Sequence, residues 1–98
     1  MIAWCLALSA FAQEPEITCF SKGFVDVWLI REGDAAVLVD THYAQSAKWL
    51  RRKLTHEGVT HLDAVIVTHA HADHAGGATA LRDWYHVPVL LGNGDVEA

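Results

Sequence analysis

Thr68-His69-Ala70-His71-Ala72-Asp73-His74-Ala75-Gly76-Gly77 sets three histidines and a carboxylate close together, directly after the apolar run Ala64-Val65-Ile66-Val67. Imidazole nitrogen and carboxylate oxygen are the ligands that zinc and its first-row neighbours prefer. In extended chain, residues two apart point to the same side, so His69 and His71 can grip one ion. On a helix they cannot, because positions i and i+2 do not face one another. The spacing therefore predicts a buried strand over Ala64–Val67, a loop through the motif, and a helix from Ala78 onward. Gly76-Gly77 loosens the backbone between them and admits close approach. Asp73 and His74, at the strand-to-helix corner, aim at a neighbouring site. One expected outcome is two metals a few ångströms apart, an arrangement that activates water for hydrolysis. The bland alternative, a group of surface loop histidines, suits a lone histidine better than His-x-His-x-Asp-His.

Upstream of the motif the pattern alternates strands and a helix. Phe24–Ile30 reads as a strand apolar on both faces, and Arg31-Glu32-Gly33-Asp34 as a hairpin turn, since Gly and Asp tolerate the required backbone angles. Ala35–Val39 is the return strand, ending at Asp40. Ala44 to about Glu57 reads as a helix with Ala47, Leu50 and Leu54 on one face and Gly58 as its stop. Lys48, Arg51, Arg52 and Lys53 lie along it. In a chain of net charge −5 they read as a solvated face suited to the helix dipole, not as a nucleic-acid site. Trp49 and Trp84 read as packing residues, with the rim of a substrate groove as the sharper alternative. His86, heading the next strand Val87-Pro88-Val89-Leu90-Leu91, reads as a surface position. Asp95 in Gly94-Asp95-Val96-Glu97 has the look of a helix N-cap.

Thr68–Gly77 resembles the signature of the metallo-β-lactamase superfamily, metal-dependent hydrolases built as an αββα sandwich, an α/β (α+β) fold. The resemblance runs from about Val25 to Gly92. By position it implies that His69 and His71 ligate a first metal and Asp73 and His74 a second. Asp73 would also be the catalytic carboxylate, orienting or deprotonating the water between the metals. Asp40, in Val37-Leu38-Val39-Asp40-Thr41, matches the family's aspartate at the end of an early strand, which supports the site from outside the ligand set. The glycine usual two residues later is His42 here, read as an exposed residue, with an extra polar group near the site as the sharper alternative. The resemblance implies zinc (Zn2+), two ions per complete domain, with iron and manganese as the other metals found in similar proteins. The family's remaining ligands lie well downstream of the first motif, and nothing after His74 offers them. The chain is therefore read as the N-terminal half of such a domain, with residues 13–98 as its truncated portion.

Length and composition agree with part of a globular domain: 98 residues, 52% of them apolar, exclude a disordered chain. Half a sandwich leaves one face of its sheet without a partner layer. Met1–Ala12 carries no charged side chain, is apolar, and ends Ala10-Phe11-Ala12 before Gln13-Glu14-Pro15-Glu16. It reads as a signal-peptide-like segment with an A-x-A cleavage site, too short to span a membrane, and implies export to the periplasm or beyond. Trp4 before Cys5 gives no lipid-anchor context. Cys19 is then the one remaining cysteine and reads as a small buried residue.

The expected reaction is hydrolysis of an amide, ester or related bond of a small-molecule substrate, β-lactam-like substrates included. Activity should fall as acid protonates the ligand histidines. Two other readings stand beside it. One is a thioester hydrolase of the glyoxalase II type, against which Ala70 stands where those enzymes often carry a third histidine. The other is a non-catalytic metal-binding module or inactive fragment. Neither nucleic acid nor a membrane anchor is expected as a partner.

Overall fold

The computed structural model describes residues 14–69 and 71–91, with Asp73 described by its backbone alone. The signal-like segment 1–12, Gly92 and Asp95 lie outside the described residues.

Five strands form one sheet in sequence order: β1 (Glu16–Lys22), β2 (Val25–Glu32), β3 (Ala35–Val39), β4 (Ala64–Val67) and β5 (Val89–Leu91). β1, β2 and β3 form an antiparallel meander, whereas β3–β4 and β4–β5 pair in parallel. Parallel neighbours need crossover connections, and helices supply them. A 3-10 turn (Ala44–Ser46) and α1 (Ala47–His56) cross from β3 to β4; a short turn α2 (Ala72–Ala75) and α3 (Ala78–Tyr85) cross from β4 to β5. α1 ends as its sequence requires. Gly58 takes φ +79, its N–H donates to the Thr55 carbonyl, and the Val59 N–H donates to that of Leu54, closing a Schellman motif.

Alternation along the strands sends one set of side chains under the helices. Phe20, Val27, Leu29, Ala36, Leu38, Val65 and Val67 pack with Leu50 and Leu54 of α1, Leu81 of α3, and Val59, Leu62 and Val87 from the loops. The opposite face has no such cover among the described residues. Register places Cys19 opposite Trp28, Trp28 opposite Val39, Val39 opposite Ile66 and Ile66 opposite Leu90. Directly paired residues share a face, so these five form one row across the sheet. Trp28, Ile66 and Leu90 are 41%, 40% and 53% exposed.

The five-stranded mixed sheet with its helices is the N-terminal part of the expected αββα fold. Several local expectations need correction. β1 is a strand that the weak alternation of Glu16–Lys22 did not announce. Cys19 is exposed, not buried, because Phe20 takes the inward position on that strand. The hairpin turn is Gly33-Asp34, with Arg31 and Glu32 still in β2. β2 buries Val25, Val27 and Leu29 alone; Phe24 stands fully exposed in the turn before it. His42 is buried, at 3% exposure.

Arg31 fastens the far end of the sheet. Its guanidinium donates to the Glu57 carbonyl and carboxylate, at 2.9 and 2.8 Å, and to the Glu16 carboxylate at 2.7 Å, so β1, β2 and the end of α1 share one side chain.

Candidate metal centre

Two parallel strands, β3 and β4, end side by side, and their carboxyl ends carry Asp40 and Thr68. The ladder continues one step past β3, where the Asp40 N–H donates to the Ile66 carbonyl at 2.8 Å. A crevice outside the carboxyl ends of such strands is where open α/β sheets hold ligands.

Asp40 is 5% exposed and sits at φ +68, a left-handed backbone that Asp tolerates better than most residues. Its carboxylate collects three donors. The Thr68 N–H reaches Oδ1 at 2.8 Å, the Thr68 hydroxyl lies 2.9 Å from both oxygens, and His74 Nδ1 lies 2.8 Å from Oδ2. A carboxylate can only accept, so His74 carries its proton on Nδ1. The same reasoning extends one residue further. The single hydroxyl proton of Thr68 is committed to Asp40, so toward His69 Nδ1, 2.9 Å away, the oxygen can only accept. His69 is therefore also an Nδ1–H tautomer. In their neutral forms both rings carry the lone pair on Nε2.

The motif histidines come together. The ring centroids of His69 and His74 are 3.9 Å apart, and those of His69 and His71 are 5.2 Å apart with edge-to-face orientation. His71 is extended (φ −66, ψ 147) and exposed at the head of α2, while His74 closes that turn. The segment after His71 is thus a helical turn and not a loop: the His74 and Ala75 N–H groups both donate to the His71 carbonyl at 2.9 Å. Asp73 lies on α2 between them. Among the described residues no three His, Cys, Asp or Glu side chains stand as a ready cage for an ion. The donor chemistry nonetheless suits zinc: imidazoles gathered in one place, two of them with tautomers set by an outer carboxylate.

The turn is held from behind by the loop after β3. The Thr41 N–H and hydroxyl donate to the His74 carbonyl at 2.7 and 2.9 Å, and the Gly77 N–H donates to the Thr41 hydroxyl oxygen at 3.0 Å. Gly76 and Gly77 serve this contact. Their φ values, −60 and −87, are ordinary, so neither is needed for backbone freedom. A Cβ on Gly76 would meet the Ala72 carbonyl oxygen at 2.5 Å and the Ala44 nitrogen at 2.7 Å. On Gly77 it would meet the Thr41 carbonyl oxygen at 2.8 Å. Close approach is the whole reason for the pair.

Other sequence candidates fall outside the centre. His86 is exposed, and at φ 51 it caps α3 in left-handed geometry. Lys48, Arg51, Arg52 and Lys53 form an exposed helix face, with Arg51 stacked 4.7 Å from the Trp84 ring centroid. Trp49 and Trp84 are partly buried against the core. Thr68 and Thr41 are what residue-type reasoning missed. The signal for Thr68 was a hydroxyl immediately before the first histidine of the motif.

The described residues thus form a mixed sheet with helices on one face and a histidine-rich turn at the carboxyl ends of its parallel strands. Residues 21–98 match the metallo-beta-lactamase superfamily, and the chain belongs to that superfamily. It is 43% identical over 72 residues to a hydroxyacylglutathione hydrolase of Prochlorococcus marinus, covering 70% of this chain and 25% of that protein. It is 32% identical over 67 residues to a probable metallo-hydrolase of Bacillus subtilis, covering 67% of this chain and 29% of that protein. A second hydroxyacylglutathione hydrolase, from Shewanella denitrificans, is 38% identical over 60 residues, 59% of this chain and 22% of its own length. Among solved structures, a metallo-beta-lactamase of Cronobacter sakazakii superposes with a TM-score of 0.76 at 20% identity, covering 95% of this chain and 37% of its own. A subclass B3 metallo-beta-lactamase of Bradyrhizobium japonicum superposes with a TM-score of 0.70 at 23% identity, covering 78% and 30%. At these identities the structural likeness speaks for the fold. The chain spans between a fifth and a third of the length of the curated relatives it matches.

Proposed function

We propose that this chain carries the first metal-ligand motif of a zinc-dependent hydrolase, with His69 and His71 holding one ion and Asp73 and His74 a second. The observation that supports the reading best is the Asp40 network, which puts the Nδ1 proton on both His69 and His74 through direct and Thr68-relayed bonds. Metal-ligating histidines characteristically donate their other ring N–H to a carboxylate or similar partner, which fixes ring orientation and raises ligand basicity. Zinc, when bound, lowers the pKa of its water towards about 7 and so supplies a nucleophile at neutral pH.

The chain's own residues then have distinct tasks. Asp40 holds the His74 ring and, through Thr68, the His69 ring. Thr41 holds the backbone of the α2 turn. Asp73, on that turn, orients or deprotonates the attacking water. The whole protein cleaves an amide, ester or related bond of a small molecule, β-lactam-like substrates included. Residues 1–98 by themselves are inactive, since this motif supplies part of the ligand set. The segment 1–12 directs export to the periplasm or beyond, and the partner is a small-molecule substrate.

A second reading has a specific observation in its favour. Two of the sequence relatives are named hydroxyacylglutathione hydrolases, at 43% and 38% identity. On that reading the scissile bond is a thioester of glyoxalase II type. Assays of the protein expressed from its complete coding sequence separate the two. Turnover of S-lactoylglutathione without nitrocefin turnover selects the thioester. The reverse selects the β-lactam, and inactivity of the zinc-loaded protein on both excludes these two substrate classes.

A further inference from the structure

His42 lies in an unusual setting for its residue type. It is 3% exposed, and its φ of +65 is a conformation that side-chain-bearing residues hold only when their surroundings enforce it. It is the second such residue within three positions, after Asp40 at φ +68. Both ring nitrogens are committed to backbone. Nε2 lies 2.9 Å from the Lys22 carbonyl oxygen, an acceptor, so Nε2 carries the proton. Nδ1 accepts the Tyr43 N–H at 2.9 Å. The ring is neutral with its tautomer fixed, the opposite of the Nδ1–H form at His69 and His74, and nothing is left on it for a metal. Trp49 and Tyr43 wall it in, with ring centroids at 5.3 and 5.5 Å.

Through these bonds His42 joins three pieces of the molecule. Its ring grips the end of β1 at Lys22. Its backbone belongs to the loop carrying Asp40 and Thr41. Its carbonyl accepts the Gly77 N–H at 3.1 Å, on the far side of the α2 turn. A glycine would reach the same backbone angles at less cost but would leave the β1 end untied.

We propose that His42 is a positioning residue for the metal centre: its ring locks the Asp40–Tyr43 loop to the β1–β2 hairpin and thereby sets the Asp40 carboxylate and the Thr41 seat of His74. The role rests on the zinc reading above and goes beyond it, because His42 touches neither metal nor substrate.

The test is zinc affinity, by competition with a chromogenic chelator, alongside thermal stability, in the protein expressed from its complete coding sequence. His42→Gln keeps a donor for Lys22 and loses the Tyr43 bond, His42→Asn does the reverse, and His42→Phe keeps the packing and loses both. Zinc affinity should fall about tenfold in His42→Phe, at the lower end of the range for outer partners of ligands, and less in His42→Gln and His42→Asn. A purely architectural residue would lower the melting temperature and leave zinc affinity, measured well below melting, unchanged. Affinity within about twofold of the parent in all three variants overturns this role while leaving the metal reading intact. Absence of zinc binding by the unsubstituted protein overturns both.

Discussion

Asp40 and His74 lie 34 residues apart in sequence and meet through a 2.8 Å bond between carboxylate Oδ2 and imidazole Nδ1. The bond links the loop after β3 to the turn after β4, and the parallel pairing of those strands brings its two ends within reach. Replacing Asp40 by Asn isolates its chemistry. Asn tolerates the left-handed backbone at least as well, so backbone strain does not rise. It offers one oxygen where three donors now share two. Zinc affinity should fall by about 10- to 100-fold, with a smaller loss in stability. Unchanged affinity would mean that the network does not serve the ligands.

Gly76→Ala and Gly58→Ala form a contrasting pair. At Gly76 a Cβ collides with backbone, which should cost about 1–3 kcal/mol and push α2 away from the Thr41 loop, weakening zinc binding as well. At Gly58 a Cβ meets nothing within 4 Å, and the penalty is the left-handed φ of +79 alone, about 1 kcal/mol. Zinc affinity should not change there. Denaturant unfolding and zinc titration of both variants read the two effects separately.

Acid should act at Asp63. Asp63 accepts the Ala36 N–H at 2.8 Å and pairs with His61 Nε2 at 2.8 Å, and these two partners hold its pKa below the ordinary carboxylate value. A depressed folded-state pKa contributes stability that is fully present above the unfolded value of about 3.9 and is lost as pH falls through the folded one. Asp63→Asn should therefore narrow its stability gap to the parent as pH drops through that window. A gap constant from pH 7 down through that window would contradict it.

The bare face of the sheet makes a physical prediction about residues 13–98 alone. Trp28, Ile66 and Leu90 form an exposed apolar row, and contiguous patches of this kind mark interaction surfaces or aggregation. The purified segment should bind a hydrophobic dye and self-associate. A cooperative thermal transition without dye binding would show that the helical layer suffices.

The ligand-type residues were legible because their chemistry is local: three histidines and an aspartate crowded after an apolar run require no knowledge of the fold. From β2 onward the order of strands and longer helices was legible from periodicity, and the helix stop from Gly58, whereas β1 and the short α2 turn were not. What sequence reading missed depended on partners far along the chain. His42 is buried because a carbonyl 20 residues upstream accepts its ring proton, and no local pattern encodes that bond. Cys19 is exposed because pairing sends Phe20 inward opposite Val27. Thr68 was read as part of a motif and not as the relay between Asp40 and His69. The two glycines were read as giving both backbone freedom and close approach; the close approach is what the fold uses, against backbone atoms of the Thr41–Ala44 loop that no local pattern names.

The central claim is that His69, His71, Asp73 and His74 are metal ligands, and the metal content of ligand variants tests it most directly. Protein expressed from its complete coding sequence, equilibrated with zinc, desalted and measured by elemental analysis, should retain zinc. His69→Ala and Asp73→Ala should each lose a substantial part of it while keeping a parental circular dichroism spectrum. Zinc content unchanged in both variants would contradict the assignment.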